Sequence, residues 1–275
     1  MDFAQRELSE FVGYATSNVA NNVASGIASA EKLQAFEASL RSMLESASKD
    51  SSEEFQKNLI AQFLRESFGY DCNVCGRADL AIYDEGKAKV LFEVKSTTNK
   101  AEFVKSPQIT CHTEPLQKGG ISQRQNRDTS GVALSMTNNN AWSLESKAFY
   151  ESILYYLREV KREKNNNLKH IILCTAQEFY IIKAQTYHAL FVANADKAIQ
   201  KRIDSAYKNC DFKQGNDTST ARFYTEIESI VREMDNTLEF TYANIPALLG
   251  EGLGERLGDN ERERERVKAG VKIPR

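Results

Sequence analysis

The sequence predicts an α/β fold, a central mixed β-sheet flanked by helices, with helical additions at both ends. Three observations carry that expectation. Residues 76–97, GRADLAIYDEGKAKVLFEVKST, alternate with a period of two around an Asp-Glu-Gly turn and read as a hairpin. Residues 143–163 put Phe149, Ile153, Leu154, Tyr156, Leu157 and Val160 on a broad apolar helical stripe. Residues 168–175 and 178–184 are apolar, β-branched and aromatic, joined by Thr-Ala-Gln, and read as a second hairpin that extends the sheet.

Taken in order, residues 2–16 place Leu8, Phe11, Val12 and Ala15 on one helical face, and residues 29–47 do the same with Leu33, Phe36, Leu40 and Leu44. SNVANNVASG between them reads as a loop. Ser51 or Ser52 is the expected N-cap of a third helix, about 52–67, whose inward residues are Phe55, Leu59, Phe63 and Leu64. Glu53 lies at the margin of that face and Glu54 points further away, so Glu53 is the acid this helix can deliver; equally, a first-turn acid simply favours the helix dipole. After the first hairpin, residues 100–140 are rich in Pro, Gly, Gln, Asn and Ser and form a long loop. Two more helices are expected between Asp196 and Met234, and past Gly250 the chain has no apolar stripe to bury. The domain reading is therefore a helical segment over 1–50, a core over 51–191, a helical segment over 192–249 and a charged tail over 250–275.

At 275 residues the chain can bury a substantial core. Its net charge of −2 does not indicate a whole-chain electrostatic grip on nucleic acid, although charge can still be sorted locally. From Gly86 to Ser130, Lys87, Lys89, Lys95, Lys100, Lys105, Lys118, Arg124 and Arg127 outnumber Glu93, Glu102, Glu114 and Asp128. Lys118, Arg124 and Arg127 are candidate phosphate contacts; a solvated polar loop is the plain alternative. No basic-then-apolar leader is present and no apolar run approaches the ~20 residues of a membrane span, so a cytoplasmic protein is expected. The irregular cysteines, Cys72, Cys75, Cys111, Cys174 and Cys210, do not suggest disulfides. Cys72, Cys75, Cys111 and His112 are zinc-ligand types, but only the first pair has ligand spacing.

The chemistry concentrates in the first hairpin. Glu93 and Lys95 share one strand face, and the partner strand can bring Asp79 beside them. Two carboxylates held together repel, and a hard divalent cation such as Mg²⁺ relieves the repulsion. Such a cation polarises a phosphoryl oxygen and acidifies water, while the lysine orients that water or offsets developing charge. An exposed ion pair on an edge strand is the competing explanation, but both strands are too apolar for a solvated face.

The Asp79 to Glu93-Val94-Lys95 arrangement, with Ala78 before the first acid, resembles the PD-(D/E)XK nuclease superfamily. The succession SEEFQKNLIAQFLRE, GRADLAIY, LFEVKST, KAFYESILYYLREV, LKHIILCTAQEFYIIKA and TYHALF is similar to the N-terminal nuclease region of type IIG restriction enzymes, over about residues 30–245. The resemblance implies a restriction-endonuclease-like core acting on double-stranded DNA. It implies Mg²⁺, with Mn²⁺ as a substitute, at Asp79, Glu93 and Val94, and catalytic roles for Asp79, Glu93, Lys95 and Glu53. Glu151 and Tyr155 are one helical turn apart and look like a variant, with Glu for Gln, of a Gln-x-x-x-Tyr pair that contacts the site in some relatives; Tyr155 is the candidate substrate contact. The adenine methyltransferase and target-recognition parts of type IIG enzymes have no motif here, neither an Asn-Pro-Pro-Tyr-like run nor a Gly-rich cofactor loop. A separate methyltransferase or recognition subunit, and dimerisation on DNA, are the partners this implies. An inactive DNA-binding or assembly module, and a phosphodiesterase for RNA or small molecules, are the alternatives on the same scaffold.

Overall fold

The structure is a computed structural model that describes residues 1–6, 30–75, 78–99, 102–104, 143–210 and 217–250. Its elements in chain order are β1 (Asp2–Arg6), α1 (Ala30–Ala47), α2 (Glu53–Phe68), β2 (Asp71–Cys75), β3 (Ala78–Asp84), β4 (Lys87–Val94), α3 (Lys147–Lys161), β5 (His170–Cys174), β6 (Glu178–Lys183), α4 (Ala184–Phe191), α5 (Lys197–Lys208), α6 (Asp217–Glu233), β7 (Thr237–Asn244) and α7 (Ile245–Gly250). The strands form one 7-stranded sheet in the order β1-β7-β6-β5-β4-β3-β2. β1 with β7 and β4 with β5 pair in parallel; the other neighbours are antiparallel, so the sheet is mixed.

Strand alternation sends side chains to two cores. Ala81, Leu91, Leu173 and Tyr180 meet Phe149, Ile153 and Leu157 of α3 and Ile227 and Ile230 of α6 on one face. Leu80, Phe92, Val94 and Cys174 meet Leu40 and Met43 of α1 and Ile60 of α2 on the other. The β3–β4 hairpin closes through Glu85 (φ 51°) and Gly86 (φ 73°), two successive left-handed residues that match the twist of the flanking strands. α2 begins after Ser52, whose side chain makes no capping bond, and ends at Gly69, left-handed at φ 68°. α3 is capped by the Ser146 hydroxyl, which accepts from the Phe149 N–H at 3.3 Å.

Two expectations are corrected. Residues 2–6, placed in an opening helix, form a strand instead. The edge of β7 offers unpaired backbone groups, Phe3 packs on the first core, the N-terminal ammonium bonds the Val231 carbonyl and Arg6 pairs with Glu239, and these outweigh helical propensity over so short a run. The rest of that helix lies outside the described residues. The second correction is in the 192–249 segment, expected to be helical, which returns β7 to the sheet between β1 and β6. Leu238 and Phe240 are buried while Glu239 is exposed, which is strand alternation.

Candidate active site

Register brings the first acids together. Leu80 pairs with Phe92 across β3 and β4, and the same register places Asp79 opposite Glu93 on the face that carries Leu91. Asp79 is fixed by its Oδ2, which accepts the Val94 N–H at 2.8 Å. Glu93 projects under α3 and is 2 % exposed. Lys95 follows the end of β4, and its N–H donates to the Cys174 carbonyl at 2.8 Å, which ties the residue to β5.

The Lys95 ammonium sits among acids from three elements. Nζ donates to Glu93 Oε1 at 2.5 Å. Glu151 Oε2, from α3, lies 2.7 Å from the same nitrogen as an ion pair off the hydrogen-bond angle. Glu53 Oε1, from the first turn of α2, stands at 3.7 Å. Glu54 turns away to Lys57. Glu53, Asp79, Glu93, Lys95 and Glu151 thus gather at one end of the sheet. Val94 has no side-chain donor and its isopropyl group is in the second core, so only its carbonyl can serve a cation. Tyr155, one turn beyond Glu151, is half-buried against the first core.

Burial and repulsion shape the titration of this cluster. Glu93 is pushed well above the usual carboxylate range, first by burial and then by Asp79, with Lys95 opposing. Burial also raises Asp79 against the Val94 hydrogen bond, and raises Glu53 against Lys95. Burial pulls Lys95 down, but Glu93 and Glu151 outweigh it and hold the ammonium above its ordinary value. Since Glu93 has a raised folded-state pKa, its contribution to stability is fully present below the unfolded carboxyl value of 4.5 and is lost as pH rises through the folded value. Glu93→Gln removes that loss. Urea unfolding from pH 4.5 upward should show the variant's stability falling less with pH than the wild type's.

The donor set fits a hard divalent cation in kind. Asp79 and Glu93 are opposed carboxylates, and Glu93 Oε2 is buried with no hydrogen-bond partner. Among the described residues no three His, Cys, Asp or Glu side chains converge on one point, and Mg²⁺ characteristically takes one or two carboxylates and keeps its waters. A cation bound at this pair would stabilise the folded chain. At a metal concentration a hundred times Kd the gain is about 2.7 kcal/mol, on the order of 5–10 °C in melting temperature. Differential scanning fluorimetry with Mn²⁺ checks it: the wild type should shift and Asp79→Asn should not.

Lys118, Arg124 and Arg127 lie outside the described residues, as do Cys111 and His112, the other two residues of zinc-ligand type. Cys72 is buried in the second core as a small hydrophobe. The sequence reading missed Tyr224 of α6, which the charges of Glu151 and Glu93 reach. A separate pocket of ≈ 190 Å³ between α5 and α6, lined by Arg202, Ser205, Asn209, Arg222 and Glu226 among others, contains none of the clustered acids.

An α/β protein whose mixed sheet ends in a buried acid–lysine cluster, covered by one helix from each layer, is the class that fold and site define. The chain belongs to the family described as domain of unknown function DUF7149, whose family model matches residues 17–119 and 121–265. No curated protein and no solved structure matches it. Among the described residues no helix is long and apolar enough to cross a membrane.

Proposed function

We propose that this chain is a Mg²⁺-dependent endodeoxyribonuclease with a restriction-endonuclease-like core, the nuclease part of a type IIG-like restriction-modification system. The observation that supports this most is the meeting of Asp79, Glu93 and Lys95 at the end of β4, the two acids opposed and the ammonium among carboxylates. Asp79 and Glu93, with the Val94 carbonyl, would hold Mg²⁺ or its substitute Mn²⁺. A cation held there supplies Lewis-acid polarisation of a phosphoryl oxygen and a more acidic bound water.

The chain's own residues do the rest. Lys95 stays charged, so it acts as a hydrogen-bond donor that orients water and offsets negative charge on the phosphoryl group, not as a general base. Glu151 holds the ammonium from the α3 side. Glu53 is the most open acid of the group, its side chain 42 % exposed, and its raised pKa suits it to take a proton at the solvent side. The partners of this reading are double-stranded DNA, a second copy on the duplex for cleavage of both strands, and a methyltransferase or recognition subunit. Its place is the cytoplasm, which suits the buried, free thiols of Cys72 and Cys174.

The test is incubation of supercoiled plasmid with purified protein and Mg²⁺ or Mn²⁺, against a chelated control. Nicked and linear products only with metal are expected. Intact plasmid under all metal conditions would reject the reading.

A further inference from the structure

Helix α6 docks antiparallel on α3. Arg232, near the end of α6, lies 3.4 Å from Glu145, which precedes α3. Midway, the charges of Glu228 and Arg232 both reach Tyr150. From Arg232 back to Tyr224 is roughly 12 Å along α6, and from Glu145 on to Glu151 and Tyr155 is roughly 9–15 Å along α3 at the helical rise. Tyr224 therefore stands across from the Glu151–Tyr155 turn. Its ring packs edge-on against Phe223, which is buried, and it is itself half-buried beside the same core as Tyr155. Among the described residues neither phenol hydroxyl has a hydrogen-bond partner.

We infer that α6 forms part of the binding site and that the Tyr224 hydroxyl, beside that of Tyr155, donates to a non-bridging oxygen of the DNA phosphodiester chain. The inference rests on the nuclease reading above. A cluster with four acids and one ammonium repels a polyanion, and further cations there would pair with the acids. Neutral donors avoid both problems. Burial and then the nearby acids hold both phenols above the ordinary tyrosine value, so both remain protonated donors at any working pH. A hydrogen bond to a charged oxygen is worth enough to set affinity by about tenfold.

The experiment compares wild type, Tyr224→Phe and Tyr224→Leu in plasmid cleavage with Mg²⁺ and in binding of a duplex oligonucleotide by fluorescence anisotropy, with melting temperatures measured alongside. Both variants should raise KM and Kd about tenfold while kcat stays within about twofold, and Phe should leave the melting temperature unchanged. Three results would overturn the inference. In the first, the wild type cleaves and both variants match it, which removes Tyr224 alone. In the second, Leu weakens binding and Phe does not, which makes the ring, not the hydroxyl, the contact. In the third, the wild type neither binds nor cleaves DNA, which removes the nuclease reading as well.

Discussion

Asp79→Asn and Glu93→Gln should each lower the proposed metal-dependent cleavage of plasmid DNA at least about a thousandfold, the scale of losing a group that acts on the reacting centre. The amide forms are the informative ones. Asp79→Asn keeps an acceptor for the Val94 N–H, whereas alanine orphans that buried donor at a cost of about 1–3 kcal/mol. Glu93→Gln keeps the volume of a side chain that is 2 % exposed. Asp79→Ala and Glu93→Ala should lose cleavage equally, with more damage to stability. Circular dichroism establishes that each variant is folded, and gel assays of nicking over a range of Mg²⁺ and Mn²⁺ give the rates. Undiminished cleavage by any of these folded variants would remove Asp79 or Glu93 from the proposed metal site.

Lys95→Ala should also lower cleavage, by about a hundredfold to a thousandfold, yet retain metal affinity. An ammonium cannot coordinate a cation. Here it competes with one, because Nζ occupies the oxygens of Glu93 and Glu151. Its removal leaves both carboxylates buried without their partner, which costs about 3–5 kcal/mol, so the variant should melt lower than the wild type. Metal should restore part of that loss by taking over the charge. Calorimetric titration with Mn²⁺ separates the roles: binding with lost cleavage assigns Lys95 to the chemical step, and lost binding in a folded variant makes it part of the metal site.

The parts of the site that the sequence revealed are those set by short-range geometry. A side-chain period of two puts Glu93 and Lys95 on one face, and a two-residue turn leaves few registers that bring Asp79 opposite Glu93. Helical phase chose Glu53 over Glu54, and Lys95 is the partner that Glu53 meets. What escaped depends on how distant elements dock. The resemblance to a Gln-x-x-x-Tyr pair pointed to Glu151 and Tyr155, but the 2.7 Å approach of Glu151 to Lys95 is set by α3 crossing the sheet and is not written in the run from Lys147 to Lys161. Tyr224 is further removed, since it needs α6 to dock on α3 in one register. In the fold, β1 was invisible because five residues with one large apolar side chain, Phe3, do not outline a strand until β7 is there to pair with them. β7 itself carries a readable alternation at Leu238 and Phe240. The helices on both sides of it drew the whole segment into a helical reading.

Crystals of the chain soaked in Mn²⁺, with anomalous diffraction recorded at the manganese edge, test the proposed metal site most directly. The expected result is an anomalous peak between the Asp79 and Glu93 carboxylates, with Lys95 Nζ withdrawn from Glu93 Oε1. An empty map at these two acids, with Lys95 still closed on Glu93 at saturating metal, would contradict it.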